Sequence, residues 1–317
     1  MYVIMYHYVR DLQNNRYPKI KGMDYTNFRT QITYFKKNYS IITMEDAIAA
    51  WNGDVKLPEK ALLLTFDDGY IDGYTNVFPV LHEEKIQGSF FISSRTFSEN
   101  VLMDVNKIHF TLASADIQSL VQDIFEQIEN YRKNGNKYNL PTAKDLYDTY
   151  GVANRLDDKD TVFAKRALQT ALPLEVRREI SSILFEKYVG MDEIAFSKEL
   201  YMTYDQIKVM KDNGMHIGVH GYDHFWLANL TTKDMQADVD KALTAMDGLI
   251  DKQNWTMCYP YGSYNDEVVR YISEKGCKLA FSTKVAAADK NIDSKFELPR
   301  FDCVDFFPIS DNYLKYL

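Results

Sequence analysis

Short apolar runs alternate with amphipathic stretches along most of the 317-residue chain. Residues 62–66 and 89–92 are almost continuously apolar, which is typical of strands that are buried on both faces. The predicted strands, most of them followed by a helical pattern, cover residues 2–6, 40–43, 61–66, 88–92, 216–219, 256–259 and 279–282. This alternation predicts an α/β protein that is built on a parallel sheet or barrel.

The stretch 94–202 breaks the alternation, because it carries almost no strand signal. Amphipathic helices are predicted there at residues 117–133, 159–171, 174–188 and 191–200. A longer continuous barrel is the alternative, but so long a stretch without a strand favours a helical insertion. We therefore predict a barrel formed by residues 1–93 and 203–317, with residues 94–202 as a helical insertion.

Composition and charge narrow the class of protein. Hydrophobic residues make up 46% of the chain and charged residues 26%, which excludes a disordered protein. The formal net charge is -8 and no basic cluster stands out, so nucleic acid is not an expected partner. No run reaches the roughly 18 apolar residues that a transmembrane segment needs. The N-terminal residues lack a basic region, and the three cysteines are widely spaced, so we expect reduced thiols and a cytoplasmic protein.

The strongest local motif is TFDDGY at residues 65–70, where two carboxylates follow a predicted buried strand. Ligands bind at the carboxyl ends of strands in α/β sheets and barrels. Adjacent strand residues point to opposite faces, so Asp67 and Asp68 are poorly placed to flank one glycosidic bond. The motif instead favours a division in which one carboxylate binds a metal and the other acts as a base. An ordinary Asp-Asp-Gly turn is the structural alternative.

A second motif, HIGVHGYDH at residues 216–224, holds three of the six histidines. His220 and His224 follow the predicted strand, and two imidazoles with a carboxylate suit a divalent ion such as zinc. Glu does not follow His216 or His220, so the zincin HExxH mechanism is excluded. We interpret His216, which lies within the strand, as a structural histidine.

A third segment, CYPYGSY at residues 258–264, joins a predicted strand to an aromatic loop. A backbone N–H group here is a candidate donor to a developing oxyanion, and the tyrosines are candidates for contact with a sugar ring. A core strand followed by an ordinary Pro-Tyr-Gly turn explains the same pattern without a function.

In this order, TFDDGY, HGYDH and YPYGSYN resemble the polysaccharide deacetylase family with NodB homology, which is carbohydrate esterase family four. Further matches lie at residues 89–92, 276–283 and 298–301, and the resemblance leaves the helical insertion uncovered. It implies a distorted (β/α) barrel and a hydrolase of carbon–nitrogen bonds that removes acetyl groups from N-acetylated sugars. It also implies one divalent metal ion, for which zinc is our first choice.

The resemblance assigns roles to individual residues. Asp67 corresponds to the general base, and Asp68, His220 and His224 correspond to the metal ligands. Tyr261, after the motif proline, corresponds to the residue whose backbone N–H helps to form the oxyanion hole.

The chain departs from the family pattern at two places. In the family, an Arg usually precedes the motif proline and steadies the base. Residues 257–259 of this chain are Met, Cys and Tyr, so that Arg is missing. Arg300 is our candidate for the missing charge. No histidine follows His224, so the usual general acid is missing. In a subgroup typified by poly-N-acetylglucosamine deacetylases the acid lies on the first strand, and Tyr6 and His7 resemble that arrangement. A buried histidine at a strand end is the alternative for His7.

The expected function is therefore metal-dependent deacetylation of an N-acetylated sugar or glycan in surface-polysaccharide metabolism. Two alternatives remain open. One is a sugar-binding pseudoenzyme that keeps the metal site, and the other is a hydrolase of the same fold that acts on a different amide.

Overall fold

The computed structural model describes residues 1–134, 137–155 and 157–316, and the chain divides into two compact units. The first unit comprises Met1–Leu12, Gly22–Val101 and Ser197–Leu317. The second unit comprises Gln13–Lys21 and Leu102–Phe196.

The first unit is built on a parallel sheet. The strands of the described residues are β1 Tyr2–Tyr6, β2 Val9–Arg10, β3 Met23–Asp24, β4 Ser40–Ile41, β5 Ala61–Phe66, β6 Ser89–Ile92, β7 His216–Val219, β8 Met257–Cys258, β9 Ala280–Phe281 and β10 Phe301–Asp302. Eight of them form one sheet in the order β10-β1-β5-β6-β7-β8-β9, with β4 also paired to β5, while β2 and β3 form a separate pair. All of these pairings are parallel.

The register of the sheet brings the strand ends to one rim. Tyr6 at the end of β1 pairs with Phe66 at the end of β5, and Ile92 at the end of β6 pairs with Val219 at the end of β7. Because the strands are parallel, the residues that follow them lie along the same edge. All six residues of β5 are buried, as its continuous apolar run predicts.

The two ends of the sheet meet at one segment. Leu298 forms a parallel bridge with Phe281 of β9, and three residues later Phe301 pairs with Ile4 of β1. This segment links the ends of the strand order, and the result is the distorted (β/α) barrel expected from the sequence.

Helices surround the sheet and also form the second unit. The α-helices of the described residues are α1 Tyr25–Asn38, α2 Met44–Asn52, α3 Phe78–Glu83, α4 Arg95–Ser98, α5 Asp104–Ser114, α6 Ile117–Lys133, α7 Ala143–Tyr150, α8 Lys159–Arg166, α9 Leu174–Val189, α10 Glu193–Leu200, α11 Tyr204–Asp212, α12 Thr232–Ala245 and α13 Asp266–Glu274. Side-chain caps define several starts: Thr231, for example, accepts a hydrogen bond from the Asp234 N–H at the start of α12.

The second unit is helical and has its own core, which includes Ile124, Phe163 and Ile180. The predicted helix at residues 117–133 is observed as α6, and the helix predicted at 159–171 is α8 followed by a π-helical turn. Residues 13–21, which the sequence analysis places in the barrel, pack with the helical unit, where the Tyr17 ring contacts Phe110. Within the described part of the chain, no helix is both long enough and apolar enough to span a membrane.

Candidate metal centre and active site

The two carboxylates of the TFDDGY motif lie at the end of β5 and are both buried. Asp68 has a φ of 74° and Gly69 a φ of 79°, so the chain turns sharply at the strand end. A Cβ atom on Gly69 would lie 2.9 Å from Ile92 Cγ2, which leaves room only for glycine. The two carboxylates at this turn have different partners. Asp67 contacts Arg300, and Asp68 contacts the histidines of the second motif.

Asp68, His220 and His224 converge on one point. The Nε2 atoms of His220 and His224 each lie 3.2 Å from Asp68 Oδ1, and the three candidate ligand atoms lie within 4.8 Å of one another. All three side chains are buried. The Tyr70 hydroxyl donates a 2.6 Å hydrogen bond to Asp68 Oδ2 and thereby leaves Oδ1 to the histidines.

The hydrogen-bonding pattern of this group fits a divalent cation. His220 Nδ1 lies 2.7 Å from the Cys258 carbonyl, which can only accept, so Nδ1 carries a proton, and in the neutral form of the ring Nε2 offers its lone pair. Asp68 Oδ1 is buried and makes no hydrogen bond to any described residue. Acceptor atoms that face one another in a buried site repel unless a cation lies between them. The residues present therefore suit a metal ion.

Asp67 forms a buried ion pair with Arg300. Arg300 Nη1 donates to Asp67 Oδ1 at 2.9 Å and Nη2 donates to Oδ2 at 2.8 Å, with both side chains no more than 2% exposed. Arg300 also donates to the Ser282 carbonyl and to Thr65 Oγ1, which fixes the guanidinium plane. Burial raises the pKa of Asp67, but the charges of Arg300 and His220 and the hydrogen bonds from Arg300 together outweigh burial and leave the pKa below its usual value. The carboxylate is thus held in its ionised form.

His7 directly follows β1 and lies at the same rim. The Asp67 N–H donates to the Tyr6 carbonyl at 2.9 Å, so the residue before His7 is bonded to the chain at Asp67. The electrostatic influence of His7 is among the causes that lower the pKa of Asp67, after those of Arg300 and His220. The structure therefore brings His7 to the neighbourhood of the two carboxylates.

Tyr261 lies beside the histidines in a strained backbone conformation. Its φ of 57° and ψ of 9° are in the left-handed region, which costs a non-glycine residue about 1 kcal/mol. The Tyr261 ring lies 4.6 Å from the His224 ring and stacks at 4.6 Å on the Trp226 ring. These contacts place the motif tyrosine next to the candidate metal ligands.

His216 lies outside this group, in agreement with its interpretation as a structural histidine. Its Nε2 lies 2.7 Å from Thr256 Oγ1, and its Nδ1 lies 3.7 Å from Glu45 Oε1. Two other residues of the site are not found by sequence reasoning. They are Tyr70, which bonds Asp68, and Asp238, whose carboxylate accepts hydrogen bonds from the loop between the two histidines.

Comparisons with known proteins agree with the fold and the motifs. The family model described as polysaccharide deacetylase matches residues 54–139 and 184–280. YxkH of Bacillus subtilis (strain 168), a protein classed by its name as a polysaccharide deacetylase, is 19% identical over 290 residues, which are 91% of this chain and 66% of YxkH. The poly-β-1,6-N-acetyl-D-glucosamine N-deacetylase of Escherichia coli (strain K12) is 44% identical over 54 residues, which are 17% of this chain and 8% of that enzyme.

Among solved structures, the Streptococcus pyogenes deacetylase PplD in complex with acetate has a similar fold. It aligns with a TM-score of 0.59 at 15% identity, over 100% of this chain and 97% of that chain. The family match covers more than half of the chain and includes both of the motifs that supply the buried carboxylates and histidines. The chain belongs to the polysaccharide deacetylase family.

Proposed function

We propose that this protein is a metal-dependent N-deacetylase that removes acetyl groups from an N-acetylated sugar or glycan in surface-polysaccharide metabolism. The observation that supports it best is the convergence of Asp68, His220 and His224 on one buried point. A second supporting observation is the buried ion pair of Arg300 with Asp67, which lies next to Asp68 at the end of β5.

Zinc is the ion that we propose for this site. One carboxylate and two imidazoles form a ligand set that zinc uses in catalytic sites, where a further position stays open. When bound, such an ion would polarise an amide carbonyl and lower the pKa of a water molecule.

Residues of the chain carry out the proton transfers and stabilise the oxyanion. Asp67 takes a proton from the attacking water, and Arg300 keeps Asp67 ionised and oriented for that step. The backbone N–H of Tyr261 donates to the oxyanion as negative charge develops on the carbonyl oxygen. His7 gives a proton to the nitrogen as the carbon–nitrogen bond breaks, which releases acetate and a free amino sugar.

The proposed substrate class is also supported by the Escherichia coli relative, whose name states that it deacetylates poly-β-1,6-N-acetyl-D-glucosamine. A cytoplasmic location stays a prediction from the sequence.

The test uses two neighbouring isosteric variants, Asp67→Asn and Asp68→Asn, with Asp54→Asn at an exposed position as the control. We measure bound zinc by elemental analysis, and acetate released from poly-β-1,6-N-acetylglucosamine and from N-acetylglucosamine oligomers. Asp68→Asn is expected to lose both metal and activity. Asp67→Asn is expected to keep the metal and lose about 10²–10⁴-fold in rate, which is the usual contribution of a positioned base.

Each contrary result has a distinct meaning. Equal zinc in Asp68→Asn and the unchanged protein contradicts the metal assignment. Metal binding without acetate release from any of these sugars supports the sugar-binding pseudoenzyme. Release of another acyl group in its place supports the hydrolase of a different amide.

A further inference from the structure

The loop that separates the two histidines, residues 221–223, is held from one side by the segment after β6. The carbonyl of His220 accepts from Ser93 Oγ at 2.9 Å, and the carbonyl of Gly221 accepts from the Ser94 N–H at 3.2 Å. The carbonyl of Tyr222 accepts from the Arg95 N–H at 3.1 Å. These bonds fix the carbonyl groups of the loop and leave its N–H groups to be satisfied from elsewhere.

Asp238, in the middle of α12, satisfies two of those N–H groups. The Tyr222 N–H donates to Asp238 Oδ2 at 2.9 Å, and the Asp223 N–H donates to Asp238 Oδ1 at 3.0 Å. Gly221 allows this approach, since a Cβ atom there would lie 3.1 Å from Asp238 Oδ2 and its φ is +69°. Each carboxylate oxygen thus binds one N–H of the loop.

An ionised side chain at this position is costly. Asp238 is 4% exposed and forms no ion pair with the described residues, and the charge of Lys241 offsets its burial only in part. Burial raises the pKa of Asp238 to about 6. Asparagine has nearly the same shape and carries no charge, but it offers one acceptor oxygen and would turn an N–H₂ group toward the second loop N–H. A carboxylate is the side chain of this size that can accept from both.

We propose that Asp238 is a positioning residue that holds the loop so that both histidine rings face Asp68. This role rests on the proposed function, because it presumes that Asp68, His220 and His224 bind a metal. Asp238 contacts none of these three side chains and acts through the backbone of residues 222 and 223. Outer partners that orient metal ligands in this way are typically worth 10- to 100-fold in metal affinity.

The experiment compares Asp238→Asn with Asp234→Asn, which makes the same change at an exposed position of the same helix. Zinc and cobalt(II) are the probes, with affinity measured by competition with a chelator and the absorption spectrum of bound cobalt recorded as a report of ligand geometry. We expect Asp238→Asn to bind zinc about 10- to 100-fold more weakly and to change the cobalt spectrum. Circular dichroism and tryptophan fluorescence of the metal-free variant should stay unchanged, and Asp234→Asn should match the unchanged protein throughout.

Unchanged zinc affinity together with an unchanged cobalt spectrum in Asp238→Asn overturns the proposal. If that variant does not fold, Asp238→Ala replaces it, because alanine removes the acceptors without placing a donor against the loop. If the unchanged protein binds neither metal, the proposed metal centre is wrong, and the positioning role of Asp238 is wrong as well. Normal binding by the unchanged protein and by Asp238→Asn overturns only the role of Asp238.

Discussion

Replacement of Arg300 by methionine tests the buried ion pair most directly. The change keeps much of the side-chain volume but removes both hydrogen bonds to Asp67, as well as those to Ser282 and Thr65. The carboxylate of Asp67 would then be buried without a counter-charge. Loss of one partner from a buried pair typically costs 3–5 kcal/mol, and the 1% and 2% exposure of these side chains leaves little solvent to compensate. We therefore expect Arg300→Met to lower the free energy of unfolding by about 4 kcal/mol.

A double-mutant cycle separates the pair from other effects of the substitution. Asp67→Asn alone leaves the Arg300 guanidinium buried without its counter-charge, so it should destabilise as well. In the double variant neither charge remains, and the combined loss should be smaller than the sum by about 2–3 kcal/mol. Arg270→Met is the matched control, because Arg270 is 67% exposed and its ion pair with Glu267 contributes little.

Tryptophan fluorescence during urea unfolding provides a suitable assay. The chain has three tryptophans, Trp51, Trp226 and Trp255, and all of them belong to the first unit. The signal therefore reports on the unit that contains the ion pair. All variants are measured in a chelating buffer, so that metal binding does not contribute. A loss below about 1 kcal/mol in Arg300→Met, or additive losses in the cycle, would refute the reasoning.

Two further predictions concern His7 and Asp238. His7→Ala is expected to keep its fold and its metal but to lose about 10²–10⁴-fold in acetate release; near-normal turnover would exclude His7 as the proton donor. The pKa of Asp238 is raised by burial from 3.8 to about 6, so its ionisation removes native stability as the pH rises through this range. Relative to the unchanged protein, metal-free Asp238→Asn should gain about 3 kcal/mol in unfolding free energy between about pH 4 and pH 7, at 1.36 kcal/mol per pKa unit. A difference that does not change with pH in urea titrations would contradict this assignment.

The sequence predicts seven of the strands in the described residues, but β2, β3 and β10 are missed. The bounds predicted for β1, β5 and β7 are those observed, because each is a compact run of apolar or β-forming residues. The strands β2, β3 and β10 contain only two residues each, one of them charged, and they do not lie in a longer apolar run as the equally short β4, β8 and β9 do.

Two helices of the second unit, α5 and α7, are missed as well, and α5 is missed for a different reason. Helix α5 buries the polar residues Asn106, Lys107 and Thr111 along with its apolar residues. Its buried face is therefore not continuously apolar, and the sequence shows no clear amphipathic pattern. The Lys107 ammonium is paired with Glu193 at 2.7 Å, a contact that no local pattern reveals.

In the candidate site too, residues in local motifs are predicted from the sequence, whereas contacts between distant residues are not. Asp68, His220 and His224 stand out because they lie in motifs that follow predicted strands, and the structure brings their ligand atoms together. Arg300 and Asp67 are 233 residues apart, and spacing alone gives no reason to pair them.

Asp238 did leave a sequence signal. It lies on the buried face of α12 with Met235, Val239 and Ala242, so a carboxylate interrupts an apolar stripe of helical period. Such a residue calls for a buried partner, but the identity of that partner, two backbone N–H groups of another loop, depends on the tertiary structure.

The pairing of Ile4 with Phe301 has a consequence for how the chain folds. The outer edge of β1 has no strand to pair with until the last part of the sequence is available, and contacts of such high sequence separation form slowly because a very long loop must close first. Arg300 lies next to Phe301, so the counter-charge of Asp67 arrives in the same step. During synthesis, the nascent chain therefore carries an open sheet edge and an unpaired carboxylate at the same time, and both are satisfied together when β10 docks.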